Sequence, residues 1–401
     1  MNKIFLFISF LVFSFYSFSQ TDINLLNVYT YLSRGDTSKA IEILSNIISK
    51  ETDNIKYTQL LANIYIANNN YEKALPLLLK SYKENPELAF YISLCYAFNK
   101  NTDSTIYWLE KYLKYDNKIA EFKIKSHHLY QYLKNNKKWE DLWKHNWYSE
   151  LESQFGEIEL LYNNKQIDEL IEIIENLKTL YPNNEKILLW RAKAYLLGQN
   201  KNEAIKSLDK ILKINPLNTE AILLKIKLYE ADMKYNKAAN LYLKLYNIEP
   251  YKIYWLYLAT INFNNAYKFN QALEAIQQYL KYDSLFDKAF YQAGIAANNL
   301  KKYNLSIKYL TKAIELSNGF SEPYYERSCA YYELGQYENA FADICMAMDL
   351  KPMQGKYFYQ RGLINYAMNK NISACSDFEK AKKYGYLKAE DYIVRFCSRI
   401  K

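Results

Sequence analysis

Four segments of mixed apolar and polar residues share one pattern, in which a small alanine precedes a proline by twelve positions. They read YEKALPLLLKSYKENP, NEAIKSLDKILKINP, NKAANLYLKLYNIEP and ENAFADICMAMDLKP. Because proline cannot continue an α-helix, each segment is predicted to be a helix that ends just before its proline. The small residue marks a place where a neighbouring helix approaches closely. The alanine–proline pairs are Ala74–Pro86, Ala204–Pro216, Ala238–Pro250 and Ala340–Pro352.

The small position recurs every 34 residues, which is the signature of a repeat architecture. Gly35, Gly198 and Gly335 mark predicted turns between the two helices of a repeat. The same step separates Ala40 from Ala74 near the N-terminus. In the later part of the chain the series is Ala204, Ala238, Ala272, Ser306, Ala340 and Ala374.

Two C-terminal segments show the repeat pattern most clearly. An aromatic, a small and a second aromatic position fill the first helix, and a small, an apolar and a small position fill the second. In 321–354 these residues are Tyr324, Ser328, Tyr331, Ala340, Ile344, Ala347 and the closing Pro352, and in 355–388 they are Phe358, Gly362, Ala374, Phe378 and Ala381.

This spacing resembles the tetratricopeptide repeat, whose unit is a 34-residue helix–turn–helix. The resemblance implies an all-α fold, a right-handed α-solenoid of about ten units with a C-terminal capping helix, because the last unit of such an array needs a polar cover. Two residues depart from the pattern. Asn365 stands at a tyrosine position, and Tyr386 stands where proline is expected.

The repeat register divides the chain into five parts. The frame is continuous in the C-terminal part, shorter near the N-terminus and interrupted between them. We expect a signal peptide at 1–19, N-terminal repeat units at 20–117, a divergent helical unit or joint at 118–150, a regular array at 151–388 and a capping helix at 389–401.

The interruption contains three tryptophans in the stretch KKWEDLWKHNWY. Trp139, Trp143 and Trp147 are spaced four apart, which places them in one stripe if the stretch is helical. We interpret this stripe as the core of a shortened repeat rather than as an exposed binding surface. Trp147 remains the candidate for contact with a partner.

Composition supports helices and argues against a nucleic-acid partner. The chain of 401 residues has only 9 Gly and 7 Pro, so many tight β-turns are excluded. Its formal charge is +9, but lysine is spread along the whole length without a dense run. A solvated surface explains this distribution better than a nucleic-acid site does.

The first twenty residues, MNKIFLFISFLVFSFYSFSQ, have the features of a secretory signal peptide. Lys3 precedes an apolar run, and Ser17 and Ser19 form a small-x-small cleavage site. The run is shorter than the ~20 residues of a membrane span, and no other segment is apolar enough to cross a membrane. The leader and the Lys/Asn/Tyr-rich composition resemble exported proteins of Bacteroidota-type bacteria. We therefore expect a periplasmic, cell-surface or secreted protein.

No pattern in the sequence indicates catalysis, a cofactor or a metal. There is no phosphate-binding glycine loop and no GxSxG, and the three histidines, His127, His128 and His145, lack the partners of a metal site. Helical repeats account for nearly all of the chain after the leader, so we expect a non-enzymatic protein.

The resemblance also implies a ligand-binding groove lined by the first helix of each unit. Arg191, Arg327 and Arg361 fall at the seventh position, near the seam between helices, so a basic clamp on a C-terminal carboxylate is not supported. Tyrosine at the groove positions is also common where nothing binds. The residues that the register places in the groove are Tyr257, Tyr291, Tyr325, Tyr359, Tyr332, Tyr366, Asn264, Asn298, Lys288 and Lys356.

Two of the five cysteines are placed by the register where they could meet. Cys375 is placed on the second helix of the last repeat and Cys397 on the capping helix. A disulfide between them would therefore hold the cap against that repeat. The alternative is that all five cysteines are ordinary small buried side chains. At least one of them is free in either case, because five is an odd number.

Two functions remain open from the sequence. The first is an exported scaffold that binds a protein or peptide in the groove. The second is a glycan-binding protein of the envelope or cell surface, because sugars stack on tyrosine rings and asparagine amides bind hydroxyls.

Overall fold

The computed structural model describes residues 23–50, 55–116 and 118–399. All regular secondary structure in these residues is helical, which confirms the all-α prediction. Ten helix pairs are present in this part of the chain, together with an irregular segment and a final short helix. The proposed signal peptide at 1–19 lies outside the described residues.

The first compact unit extends to Lys225. Its helices pack in consecutive pairs joined by short turns, so the two helices of a pair run antiparallel. They are α1 (Ile23–Arg34), α2 (Thr37–Lys50), α3 (Ile55–Ala67), α4 (Tyr71–Ser81), α5 (Ala89–Phe98), α6 (Thr102–Leu113), α7 (Glu121–Ser126), α8 (Lys137–Leu142), α9 (Glu150–Asn164), α10 (Ile167–Leu180), α11 (Glu185–Leu197) and α12 (Lys201–Ile214), with 3₁₀ turns at Pro86–Leu88 and His128–Leu133.

The second compact unit begins at Ile226, inside α13 (Thr219–Ala231). This division falls within the stretch 151–388 for which the sequence predicts an unbroken register. The remaining helices are α14 (Tyr235–Ile248), α15 (Tyr254–Asn265), α16 (Phe269–Leu280), α17 (Asp287–Asn299), α18 (Tyr303–Leu316), α19 (Ser321–Glu333), α20 (Tyr337–Leu350), α21 (Gly355–Ala367), α22 (Asn371–Lys383) and α23 (Ala389–Arg395), with a 3₁₀ turn at Cys397–Arg399.

The turn inside each of the ten pairs passes through left-handed backbone at the same repeat position. Such a residue ends a helix by letting the following N–H groups bond to its last carbonyls. Gly198, which the sequence marks as a turn residue, has φ −79°, and the left-handed residue is the next one. The ten residues are Gly35, Asn69, Lys100, Lys165, Gln199, Met233, Tyr267, Lys301, Gly335 and Asn369.

The small positions lie where the two helices of a pair touch. A Cβ added at Gly362 would lie 2.6 Å from the ring of Phe378 on the opposite helix. A larger side chain would therefore force the helices apart. The alanines of this position are buried with at most 1% of their surface exposed: Ala40, Ala74, Ala204, Ala238, Ala272, Ala340 and Ala374.

The four prolines of the sequence pattern follow the ends of second helices. Pro216, Pro250 and Pro352 stand two residues beyond α12, α14 and α20, and Pro86 starts the 3₁₀ turn after α4. Their position agrees with their inability to continue a helix.

Residues 118–148 share a hydrophobic core with the repeats before them. Tyr130 is fully buried, and its hydroxyl pairs with that of Ser93. On the other side, the Lys118 ammonium forms a buried ion pair with Glu152 of α9 at 3.0 Å. The segment is thus a packed part of the first unit.

The three tryptophans do not form one helical stripe, and that prediction is wrong. Helix α8 ends at Leu142, and Trp143 is its C-terminal cap. Trp139 is buried, while Trp147 lies beyond the helix and donates from its indole N–H to the Leu142 carbonyl at 2.7 Å. The interpretation as core rather than as an open surface agrees with the packing of all three against the buried cluster.

Candidate ligand-binding face

The first helices of the last four units lie side by side in the second compact unit. Helix α15 contacts α17, α17 contacts α19, and α19 contacts α21. We refer to the surface of these four helices as the A-helix face. The four helices carry all ten residues that the sequence assigns to a groove.

Asparagine at the twelfth repeat position joins successive helices of this face. The Asn264 amide donates to the backbone carbonyl of Gln292 at 3.2 Å and to its side-chain oxygen at 2.9 Å. The Asn298 amide donates in the same way to the Glu326 carbonyl at 2.9 Å and carboxylate at 3.2 Å. This contact joins α15 to α17 and α17 to α19.

Each tyrosine at the fifth position packs against another aromatic ring. Ring centroids are 5.0 Å apart for Tyr257 and Phe286, and 4.9 Å apart for Tyr291 and Phe320. Both contacts are edge-to-face, which is a favourable geometry for aromatic pairs. The two later tyrosines also pack on a ring, in tilted arrangements. The ring centroids are 5.2 Å apart for Tyr325 and Tyr357, and 4.9 Å apart for Tyr359 and Tyr386.

Two of the predicted groove residues are buried, which corrects the prediction that they are open to a ligand. Tyr257 is 7% exposed because its ring packs beneath Phe286, and Asn264 is 8% exposed because its amide binds Gln292. Their roles in the structure are contacts between repeats. Tyr291, Tyr325, Tyr359 and Asn298 are partly buried.

The more accessible residues of the face are Tyr332, Tyr366, Lys288 and Lys356. Tyr366 is 36% exposed and Lys288 is exposed, while Tyr332 and Lys356 are partly buried. The Lys356 ammonium lies 4.6 Å from the centre of the Tyr325 ring, so it is held by a cation–π contact. Whether any of these side chains binds a ligand remains a prediction.

The C-terminal segment covers one end of the A-helix face. A disulfide joins Cys375 of α22 to Cys397, with the two Cα atoms 5.5 Å apart, and this is the pair proposed from the repeat register. The Tyr392 ring lies 5.8 Å from that of Tyr359, and the Phe396 ring lies 4.9 Å from that of Tyr366. Burial, followed by the neighbouring phenols, raises the pKa of Tyr359 to about 12.

The arginines at the seventh position bind acids on second helices. The Arg361 guanidinium pairs with Asp377, at 2.9 Å from Nε and 2.6 Å from Nη2. Asn365, the departure from the tyrosine pattern, donates to the same carboxylate at 2.9 Å. Sequence reasoning placed the arginines correctly at the seam but missed these partners. The signal that could have found them is the recurrent spacing of sixteen between Arg327 and Asp343 and between Arg361 and Asp377.

The histidines do not form a metal site within the described residues. No group of three or more His, Cys, Asp or Glu side chains there is arranged to hold a metal ion. The rings of His127 and His128 are stacked at 4.7 Å, and the His127 Nδ1 accepts a bond from the Leu129 N–H. Burial, followed by the charge of His128, lowers the pKa of His127 to about 4.

The helix pairs are similar in length, turn through the same left-handed position and touch at the same small residue. These shared features define a helical-repeat protein. Models of the tetratricopeptide repeat match residues 31–91, 187–218, 287–320 and 321–352. These segments of the chain are therefore tetratricopeptide repeats, as the sequence pattern indicates. This fold serves protein–protein interaction in other members of the family.

Several solved structures resemble part of the chain. A tetratricopeptide repeat protein from Parabacteroides merdae is 19% identical, covers 59% of this chain and 93% of its own, and has a TM-score of 0.41. YrrB, a tetratricopeptide repeat protein with an unusual peptide-binding site, is 17% identical. The match covers 46% of this chain and 97% of YrrB, with a TM-score of 0.37. MamA from Desulfovibrio magneticus is 22% identical. The match covers 40% of this chain and 94% of the MamA chain, with a TM-score of 0.36.

No curated protein matches the sequence of this chain. Among the helices that the structure describes, none combines the length and the apolar character needed to span a membrane.

Proposed function

We propose that this protein is an exported, non-catalytic scaffold that binds an extended protein or peptide segment on the A-helix face. The observation that supports binding there is the set of accessible groups along neighbouring helices. Tyr332 and Tyr366 offer rings and hydroxyls, and Lys288 and Lys356 offer ammonium groups. Such side chains give contact area and hydrogen bonds to a peptide backbone.

Two features support export to the periplasm, the cell surface or the medium. The leader has the composition of a signal peptide. The Cys375–Cys397 disulfide is of a kind that persists in oxidising compartments and is rare in the cytosol. Cell fractionation with protease treatment of intact cells tests this part of the proposal. Recovery of the full-length, reduced chain from the cytosol would contradict it.

Site-specific photo-crosslinking tests the binding face. A photoreactive phenylalanine analogue is placed at Tyr332 or Tyr366 and, as a control, at Tyr267, which is 81% exposed in the turn that follows α15. Adducts of one defined mass at 332 and 366, with none at 267, are expected. Equal adducts at all three positions would show that the face has no special role.

A glycan array distinguishes the second function considered from the sequence. If the protein binds glycans and Tyr366→Ala removes that binding, the peptide proposal is replaced by glycan binding. If the array is negative and crosslinking yields a protein adduct, the scaffold proposal stands.

A further inference from the structure

Glu326 occupies a place in the A-helix face where the preceding repeat has a neutral side chain. Its carboxylate accepts a bond from the Asn298 amide at 3.2 Å. One repeat earlier, the side-chain oxygen of Gln292 accepts the equivalent bond from Asn264 at 2.9 Å. An uncharged amide therefore suffices for the contact between repeats, and the negative charge of Glu326 serves no purpose in it.

The charge of Glu326 is not neutralised by an ion pair within the described residues. Its carboxylate is hydrogen-bonded by the neutral amide of Asn298. Among the described residues, no lysine or arginine nitrogen lies within 4 Å of the Glu326 carboxylate. Lys356 acts on the Glu326 carboxyl only from a greater distance, since its ammonium is held over the Tyr325 ring. Burial of the carboxylate dominates this weak attraction and raises its pKa.

Two tyrosines of the A-helix face are influenced by the charge of this carboxylate. Burial, followed by the charge of Glu326, raises the pKa of the Tyr291 phenol. Burial, followed by Cys329 and Glu326, does the same for the Tyr325 phenol. An anion on a face that also carries tyrosines suits a cationic side chain, because the anion pairs with the cation while tyrosine rings can pack on its apolar stem and attract its charge.

A partly buried charge without a counter-charge is unfavourable, and a bound cation would relieve that cost. We propose that Glu326 recognises a single lysine or arginine side chain of the peptide segment bound on the A-helix face. The inference rests on the proposed function and adds the chemistry of the partner. The arginine or lysine would meet the carboxylate next to the Asn298 amide, on the part of the face formed by α17 and α19.

Peptide selection with matched variants tests this inference. The probe is a library of random twelve-residue peptides displayed on phage, selected on the full, disulfide-bonded protein. Glu326→Gln keeps the hydrogen bond to Asn298, as Gln292 does in its own repeat, so the variant is expected to fold. Glu338→Gln, an exposed acid at the start of α20, removes the same charge from another surface.

The wild-type protein and Glu338→Gln are expected to select peptides with one conserved lysine or arginine, and Glu326→Gln to lose that preference. For one selected peptide, replacing its basic residue by norleucine should weaken binding about tenfold or more to the wild type and little to Glu326→Gln. Peptides selected without a basic preference would overturn the role of Glu326 but leave the scaffold function intact. Failure to select any peptide would contradict both.

Discussion

Arg327 holds Asp343 with two parallel hydrogen bonds, from Nε at 2.7 Å and from Nη2 at 2.8 Å. The same arginine donates from Nη1 to the Thr311 hydroxyl on the preceding second helix at 2.8 Å. The pair therefore connects three helices, α18, α19 and α20. A two-pronged contact of this kind fixes orientation as well as distance.

Asp343→Ala should lower the free energy of unfolding by about 3 kcal/mol, because it leaves the largely buried Arg327 guanidinium without its counter-charge. Chemical denaturation followed by circular dichroism measures the change. Glu315→Ala is the control, since it breaks an exposed ion pair with Lys312 and should cost less than about 1 kcal/mol. Equal effects of the two variants would contradict the structural role of Arg327.

Removal of the disulfide should loosen the C-terminal cap. Reduction, or Cys397→Ser, should destabilise the last helix pair and α23 by about 3 kcal/mol, as expected for a bond that closes a loop of this size. Hydrogen exchange at the backbone amides of α23 measures the effect locally. Cys345→Ser, at a free cysteine, is the control and should leave exchange in α23 unchanged.

Gly362→Ala should destabilise the last helix pair by about 1–3 kcal/mol, because the new methyl group would overlap the Phe378 ring. The matched control is Gly319→Ala, where nothing lies within 4 Å of the added atom. Thermal unfolding of the two variants provides the comparison. A stable Gly362→Ala protein would mean that the helices can separate without cost.

Tyr267→Gly should be more stable than Tyr267→Ala by about 1 kcal/mol. Both variants remove the exposed ring, but only glycine adopts the left-handed backbone at φ 58° without a steric penalty. Denaturant midpoints of the two variants measure the difference. If alanine equals glycine here, the left-handed turn carries no strain.

Stability should fall as the pH is lowered from about 6.5 to about 4. The pKa of His127 is lowered to about 4, so in this interval the unfolded chain binds a proton at this residue that the folded chain does not. The proton uptake at His127 should lower the free energy of unfolding by about 1–3 kcal/mol. In His127→Asn, which can still accept the Leu129 N–H, this component of the pH dependence should disappear.

The repeat fold could be predicted from the sequence because close helix contacts leave a mark at single positions. Ala340 and Ala374 are small for that reason, and Pro352 follows the end of a helix because proline cannot continue one. The ion pairs could not be predicted as easily, because their acids occur in only some repeats. Asp343 and Asp377 stand where the unit of Arg191 has Ser207.

The groove was predicted less well than the fold. The register correctly places Tyr257 and Asn264 on first helices, but it does not show what lies above them. Phe286 covers the tyrosine, and Gln292 takes up the amide. Exposure depends on these neighbours, so the repeat position alone could not separate packing residues from residues open to a ligand.

The cap also changes what the last helix pair presents to its surroundings. In a stack of alike units, every free end is a surface on which another unit fits, and nothing in the repeat itself specifies a last member. Here Tyr392 stacks on Phe378 at 4.9 Å, and the disulfide ties that contact to the chain. The Phe378 ring is consequently buried, so this apolar surface of the last helix pair is not available to another molecule.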